Sequence, residues 1–237
     1  MDTAQKVAVV TGASRGIGAA LVTAYRGLGY AVAAVARSVG APDDPAVLAV
    51  PADVSEPGAG ARVVSAVMER FGRIDTLVNG AGIFVAKPFT EYTDEDFDAV
   101  VGVNLRGFFE ITRSGVAAML TREGGGHVVS VSTTLVSNAD ARVNAGMAAL
   151  TKGGLDAATR SLAIEYATRG VRVNSVALGV IRSSMHPSDP GGALAGLHPV
   201  RRMGEVEDVV RAVLYLEQAP FVTGEISHVD GGQSAGH

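Results

Sequence analysis

Six short apolar runs rich in Val, none with a regular polar alternation, constrain this chain more than any other feature. They cover residues 7–10, 31–35, 47–50, 74–78, 127–131 and 171–176. A strand with one wet face alternates apolar and polar residues; runs without alternation suit strands covered on both faces. Between the runs, residues 16–28, 59–71, 94–121, 147–168 and 205–218 space their apolar side chains three and four apart, as helices do. Strand and helix in alternation predict a parallel, doubly wound sheet with helices on both faces. A last run at 225–229 makes a seventh strand. Residues 37–45 hold two prolines and are too short for the helix that often follows the second strand. No repeat or linker divides the 237 residues, so one α/β domain spanning 1–237 is expected.

Charge and composition narrow the function. The net charge is -4 with no basic cluster, which speaks against nucleic acid and anionic membrane as partners and leaves a small-molecule substrate. There is no Cys, so neither disulfides nor a thiolate metal site can form. No His, Asp or Glu grouping has metal-ligand spacing, and no G-x-S-x-G elbow supports a hydrolase triad. No apolar run approaches the roughly 20 residues of a membrane helix, and the N-terminus carries no apolar signal core. A cytoplasmic location is the expectation.

The first strand runs into Thr11-Gly12-Ala13-Ser14-Arg15-Gly16-Ile17-Gly18. Glycines between a strand and a helix let the backbone turn tightly and approach a pyrophosphate, which the free N–H groups of the helix N-terminus then bind. The spacing resembles the T-G-x-x-x-G-x-G turn of the short-chain dehydrogenase/reductase family. Further motifs are similar to that family's in order along the chain. These are Ala52-Asp53-Val54, Asn79-Gly80-Ala81-Gly82, Val103-Asn104-Leu105, Lys152-Gly153-Gly154-Leu155, Arg172-Val173-Asn174, Thr223-Gly224 and Val229-Asp230-Gly231-Gly232. The resemblance covers essentially the whole chain. It implies a single Rossmann-type domain with a substrate lid around residues 183–204. It also implies a dinucleotide held by Gly12, Ser14, Arg15, Gly16, Ile17 and Gly18 at the turn, with Asp53 and Val54 at the adenine. Asn79, Ala81, Gly82 and Lys152 would lie along the middle of the cofactor, and Gly179, Ile181 and Ser183 at its carboxamide end.

An acidic residue at the end of the second strand would bond a ribose 2′-hydroxyl, whereas an arginine suits a 2′-phosphate. Here that position is Ala36, followed by Arg37 and Ser38, with Arg15 across the turn. Two guanidinium groups point to NADP(H) over NAD(H).

The family's usual chemistry uses Asn, Ser, Tyr and Lys, the tyrosine standing four residues before the lysine as general acid/base. The resemblance carries Asn104 and Lys152 into catalytic roles, the asparagine supporting a proton-relay water. The serine aligns with Thr133, with Ser132 as the alternative. Four residues before Lys152 stands Ala148, and no tyrosine occurs between the fifth strand and Lys152. Alanine has no proton to give. His186 and His198, flanking the lid, and Asp140 are candidate substitutes, while His127 reads as structural. The chain is thus expected to be an NADP(H)-dependent oxidoreductase of a small carbonyl, alcohol, C=C or C=N compound with non-standard proton delivery. The alternatives are a non-redox catalyst (isomerase, lyase or cyclase) or a cofactor-binding protein without catalysis on the same scaffold. The two long helices are apolar on more than one side, at Val101, Val103, Phe108 and Phe109 in one and Leu155, Leu162 and Ile164 in the other. With the family resemblance they imply a homotetramer or homodimer.

Overall fold

A computed structural model describes residues 5–186 and 188–236. Residues 1–4 and 237, included in the single-domain expectation, and Pro187, included in the lid, lie outside the described residues. Seven strands form one sheet: β1 (Val7–Thr11), β2 (Ala31–Ala36), β3 (Val47–Pro51), β4 (Thr76–Asn79), β5 (Gly126–Thr133), β6 (Val171–Leu178) and, after a separate pair, β9 (Ile226–Val229). Their order is β3-β2-β1-β4-β5-β6-β9, and every pairing is parallel. The chain leaves β1 toward one edge and returns at β4 toward the other. The order therefore reverses between β1 and β4, where a crevice opens beyond the strand ends.

The apolar runs explain both layers. Along β1 the side chains of Val7 and Val9 point to one face and those of Ala8 and Val10 to the other, all at most 1% exposed. The first face packs against α2 (Ala59–Phe71), α4 (Gly107–Met119) and α5 (Gly146–Tyr166), through Val63, Val67, Ile111, Val116 and Ala163. The second packs against α1 (Gly16–Gly27) and α6 (Val206–Gln218), through Leu21, Tyr25, Val209, Val213 and Leu216. Each such buried Val or Leu contributes about 1.5–3 kcal/mol of transfer free energy.

Two local features depart from the sequence reading. The helix expected over 94–121 is α3 (Asp94–Val101) and α4, joined by a π turn at Gly102–Arg106. A π turn inserts a residue into the helical ladder and re-aims its side chains. Asn104 sits in it and is 1% exposed. The second feature is a parallel pair, β7 (Ile181–Arg182) with β8 (Gly204–Glu205). It ties together the two ends of residues 183–204, where the family resemblance implies a lid. Between β2 and β3, no helix forms, as the prolines require.

The N-terminal ends of the strands enclose a polar cluster around Glu217, at the end of α6. Its carboxylate accepts from Tyr25 Oη at 3.2 Å, Tyr30 Oη at 2.8 Å, Thr76 Oγ1 at 3.0 Å and His127 Nδ1 at 2.8 Å. Asn174 Nδ2 donates to His127 Nε2 at 3.1 Å, so the proton of a neutral His127 lies on Nδ1 and faces the carboxylate. Burial keeps His127 below its ordinary pKa. The converging donors hold Glu217 well below the usual carboxylate range against the opposing effect of its burial. His127 is structural, as its place at the start of β5 suggests.

Candidate active site

The glycine turn stands at the crevice between β1 and β4. Gly12 has φ +72°, and a Cβ there would lie 2.9 Å from the backbone of Gly80 and Ala81. A Cβ on Gly18 would lie 2.2 Å from Gly12 O. Both positions therefore require glycine, which brings the backbone turn onto the start of α1. Arg15, the N-cap, makes no capping side-chain hydrogen bond, and the first turn of α1 has no acidic residue. Thr11 Oγ1 accepts from the amides of Gly80 and Ala81, each at 3.1 Å, and fixes the β4 loop against the turn. Open N–H groups and a glycine cradle fit a pyrophosphate.

Ser14, Arg15, Arg37 and Ser38 are exposed around one end of this crevice. Asp53 is held below its usual pKa by the hydroxyl and amide of Ser55, with Arg37 adding a smaller attraction. Asp53 Oδ1 carries both Ser55 bonds, at 2.6 and 2.9 Å. Val54 is 7% exposed and belongs to the core, so any contact it makes to a ligand comes from the backbone. The same holds for Asn79, whose Nδ2 donates to Thr112 Oγ1 at 2.9 Å.

Beyond the turn lies a cavity of about 240 Å³. Ile17, Gly82, Gly179, Ile181 and Ser183 line it, together with Ala148, Lys152, Ser132 and Thr133. Lys152 Nζ donates to Val131 O at 2.7 Å, and burial lowers its pKa to about 8, opposed by the charge of Asp156 one helical turn on. A Cβ on Gly82 would lie 3.1 Å from Lys152 Nζ and 3.4 Å from Asn104 Oδ1, so these three positions meet. Ala148, one turn before Lys152, is 5% exposed and offers only a methyl group to the same cavity.

The amide of Asn104 is committed to position. Its Oδ1 accepts from Ile83 N at 3.0 Å, and its Nδ2 donates to Ile83 O at 3.1 Å and Thr151 Oγ1 at 3.2 Å. Both N–H groups are engaged, so Asn104 pins the β4 loop to α5 and keeps one lone pair for a water. The two hydroxyl candidates separate. Thr133 Oγ1 donates to Leu178 O and accepts from Leu135 N, each at 3.3 Å. Ser132 Oγ is buried and makes no well-formed hydrogen bond, although Asp156 lies near enough for the hydroxyl to lower that carboxyl's pKa.

The lid candidates also separate. His186 lines the cavity, and partial burial lowers its pKa. His198 does not: it is 2% exposed, its Nε2 accepts from Val180 N at 2.9 Å, and it packs against Gly179. Asp140 is bonded to Arg142 through both oxygens and is outside the cavity wall. Gln233 is a wall residue that the sequence reading missed, since a polar residue in a Gly-rich tail reads as solvated. Among the described residues no group of His, Asp and Glu could hold a metal ion, and no helix is long and apolar enough to cross a membrane.

The family model described as enoyl-(acyl carrier protein) reductase matches residues 12–234. L-xylulose reductase of Mesocricetus auratus is 35% identical over 244 residues, covering 98% of both chains. The 3-oxoacyl-[acyl-carrier-protein] reductase FabG of Thermotoga maritima is 33% identical over 246 residues, covering 96% of this chain and 97% of its own. Among solved structures, a 3-ketoacyl-(acyl-carrier-protein) reductase from Brucella melitensis complexed with NADH has a TM-score of 0.89 at 30% identity, over 98% of this chain and 99% of that one. A blue fluorescent protein from a metagenomic library, in complex with NADPH, has a TM-score of 0.87 at 30% identity, over 99% and 100%. With the glycine turn, the seven-stranded order and these matches along its length, the chain belongs to the short-chain dehydrogenase/reductase family.

Proposed function

We propose that this chain is an NADP(H)-dependent oxidoreductase of a small carbonyl compound in which Lys152 delivers the proton that a phenol supplies in its relatives. The observation that carries the reading is the pair on α5: a desolvated amine at Lys152 and a bare methyl group at Ala148, both in the wall of one cavity. The nucleotide supplies hydride when bound. The glycine turn and the open end of α1 hold its pyrophosphate. Arg15 and Arg37 favour the 2′-phosphate; the relatives' structures contain either NADH or NADPH, so the choice rests on this chain's own cations. Ser132 offers a hydroxyl to the substrate oxygen, and Lys152 in its ammonium form donates the proton. Desolvation brings that donor from an ordinary pKa near 10.5 to about 8, where its acidity suits transfer at neutral pH. Replacing Ala148 by Tyr restores the phenol and is expected to raise NADPH oxidation with ketones. An unchanged or lower rate, with NADPH affinity intact, would contradict the reading.

The assembly is proposed to be a homotetramer. Leu155 belongs to the core, but Phe109 is 54%, Leu150 56% and Ile164 79% exposed on α4 and α5, and Phe221 is fully exposed before β9. Apolar side chains on two separate surfaces suit two interfaces. Light scattering at micromolar concentration tests this, and a monomer would refute it. The proposed setting is the cytoplasm, where a chain without cysteine is at home.

A further inference from the structure

Among the described residues, five buried side-chain atoms lack a hydrogen-bond partner: Arg122 Nε, Ser132 Oγ, Thr159 Oγ1, His198 Nδ1 and Gln233 Oε1. Two of the five, on Ser132 and Gln233, belong to residues of the cavity wall. A buried polar atom left unpaired is costly, and at a cavity an ordered water or a ligand completes it. Ser132 is accounted for by the carbonyl oxygen of the proposed reaction. Gln233 is not.

The backbone of Gln233 is held at both ends. Its amide donates to Asp230 O at 3.1 Å, and its carbonyl accepts from Asn138 Nδ2 at 2.8 Å. The side chain is therefore placed by the fold, 1% exposed, with its Oε1 unpaired. Much of the rest of the wall is hydrocarbon, with Ile83, Phe84, Leu135, Val143, Leu194 and Leu197 among its members. Among the described residues Lys152 is the one charged member of that wall, and burial favours the neutral form of His186. No second cation awaits a carboxylate or phosphate.

We propose that the cavity takes an uncharged, largely hydrocarbon ketone carrying a second polar group, a hydroxyl, and that Gln233 recognises that hydroxyl. A hydroxyl both donates and accepts, so it pairs with a primary amide in either orientation of the amide, whereas a carboxylate only accepts. The small side chain at Ala148 widens the cavity for the hydrocarbon body. This substrate class rests on the reading of the cavity as a carbonyl site.

The test is calorimetric titration of the NADP⁺-loaded protein with cyclohexanone, 4-hydroxycyclohexanone and 4-oxocyclohexanecarboxylate. No turnover is needed, so binding is read apart from redox chemistry. The hydroxyketone is expected to bind at least about tenfold more tightly than cyclohexanone, because a site built to bond a hydroxyl discriminates against the analogue lacking it. The carboxylate should bind most weakly. Gln233→Met should bring the hydroxyketone down to the affinity of cyclohexanone. Equal affinities for the two neutral ketones, a preference that survives in Gln233→Met, a carboxylate that binds most tightly, or no binding at all would overturn the proposal. If Gln233→Met fails to fold, the ranking of the three compounds by the unmodified protein decides alone. Selective binding without NADPH oxidation would sink the redox reading and leave the substrate class standing; oxidation with no hydroxyl preference would do the reverse.

Discussion

The Glu217 cluster at one end of the sheet and the cavity at the other treat polar groups in opposite ways. At the N-terminal end, Glu217 gathers Tyr25, Tyr30, Thr76 and His127, and each donor has its acceptor. At the C-terminal end, Ser132 and Gln233 carry unpaired buried atoms, and Lys152 donates to a single carbonyl. Both ends are buried enough to shift pKa values. The difference is satisfaction: a closed network stabilises the fold, while an open one leaves capacity for a ligand. Perturbed ionisation alone would not have told the two apart.

The largest loss is expected at the glycine turn. Gly18→Val places a side chain where Gly12 O already lies 2.2 Å from a Cβ. NADPH affinity should fall by more than about 100-fold by calorimetry, since the loss removes several backbone contacts of roughly 1–3 kcal/mol each. The Glu217 cluster is untouched, so the circular dichroism spectrum should remain that of a folded protein.

The opposite substitution, Glu217→Leu, should cost about 3 kcal/mol or more in urea unfolding, because it strands four buried donors at once. Nucleotide affinity should hold if the two ends are independent. The same cluster predicts acid sensitivity. Glu217 has a folded pKa held below its ordinary value near 4.5. Its stabilising effect is therefore present above about pH 4.5 and lost as pH falls toward the folded value of about 2, on the order of 3 kcal/mol in all. Unfolding free energies at pH 7 and pH 3.5 check this, and Glu217→Gln should flatten the difference attributable to this group.

A smaller effect sharpens the cofactor side. Arg37→Asp should weaken NADPH by about tenfold to a hundredfold, the size of a charge-assisted hydrogen bond, with NADH much less affected. Equal or tighter NADH binding by the unmodified protein would instead show that Arg15 and Arg37 are only solvated surface cations.

Much of this was legible in the sequence. The Val runs without alternation announced a doubly covered sheet, and the glycine spacing located the crevice, because both depend on local chain geometry. The π turn was not legible: the insertion accompanies Asn104 bonding to Ile83, 21 residues away, and no local pattern records that. The β7–β8 pair is two residues per strand, too short for periodicity to register. Sequence left Ser132 and Thr133 both open as hydroxyl donors; only tertiary contacts show that Thr133 is engaged by Leu178 and Leu135 while Ser132 is not. Ala148, in contrast, was readable at once, since a helix places residues four apart on one face.

The proposed carrier of the transferred proton is Lys152. The direct measurement is the pH dependence of kcat/KM for NADPH-dependent reduction of 4-hydroxycyclohexanone, comparing the unmodified protein with Lys152→Arg. A general acid works only while protonated, so the rate should be level at neutral pH and fall tenfold per pH unit above about 8, the pKa to which burial brings Lys152. Arginine keeps its proton throughout, so in Lys152→Arg that basic limb should disappear, at a lower plateau rate. A basic limb at the same pH in both proteins, or equal plateau rates, would show that the proton comes from elsewhere.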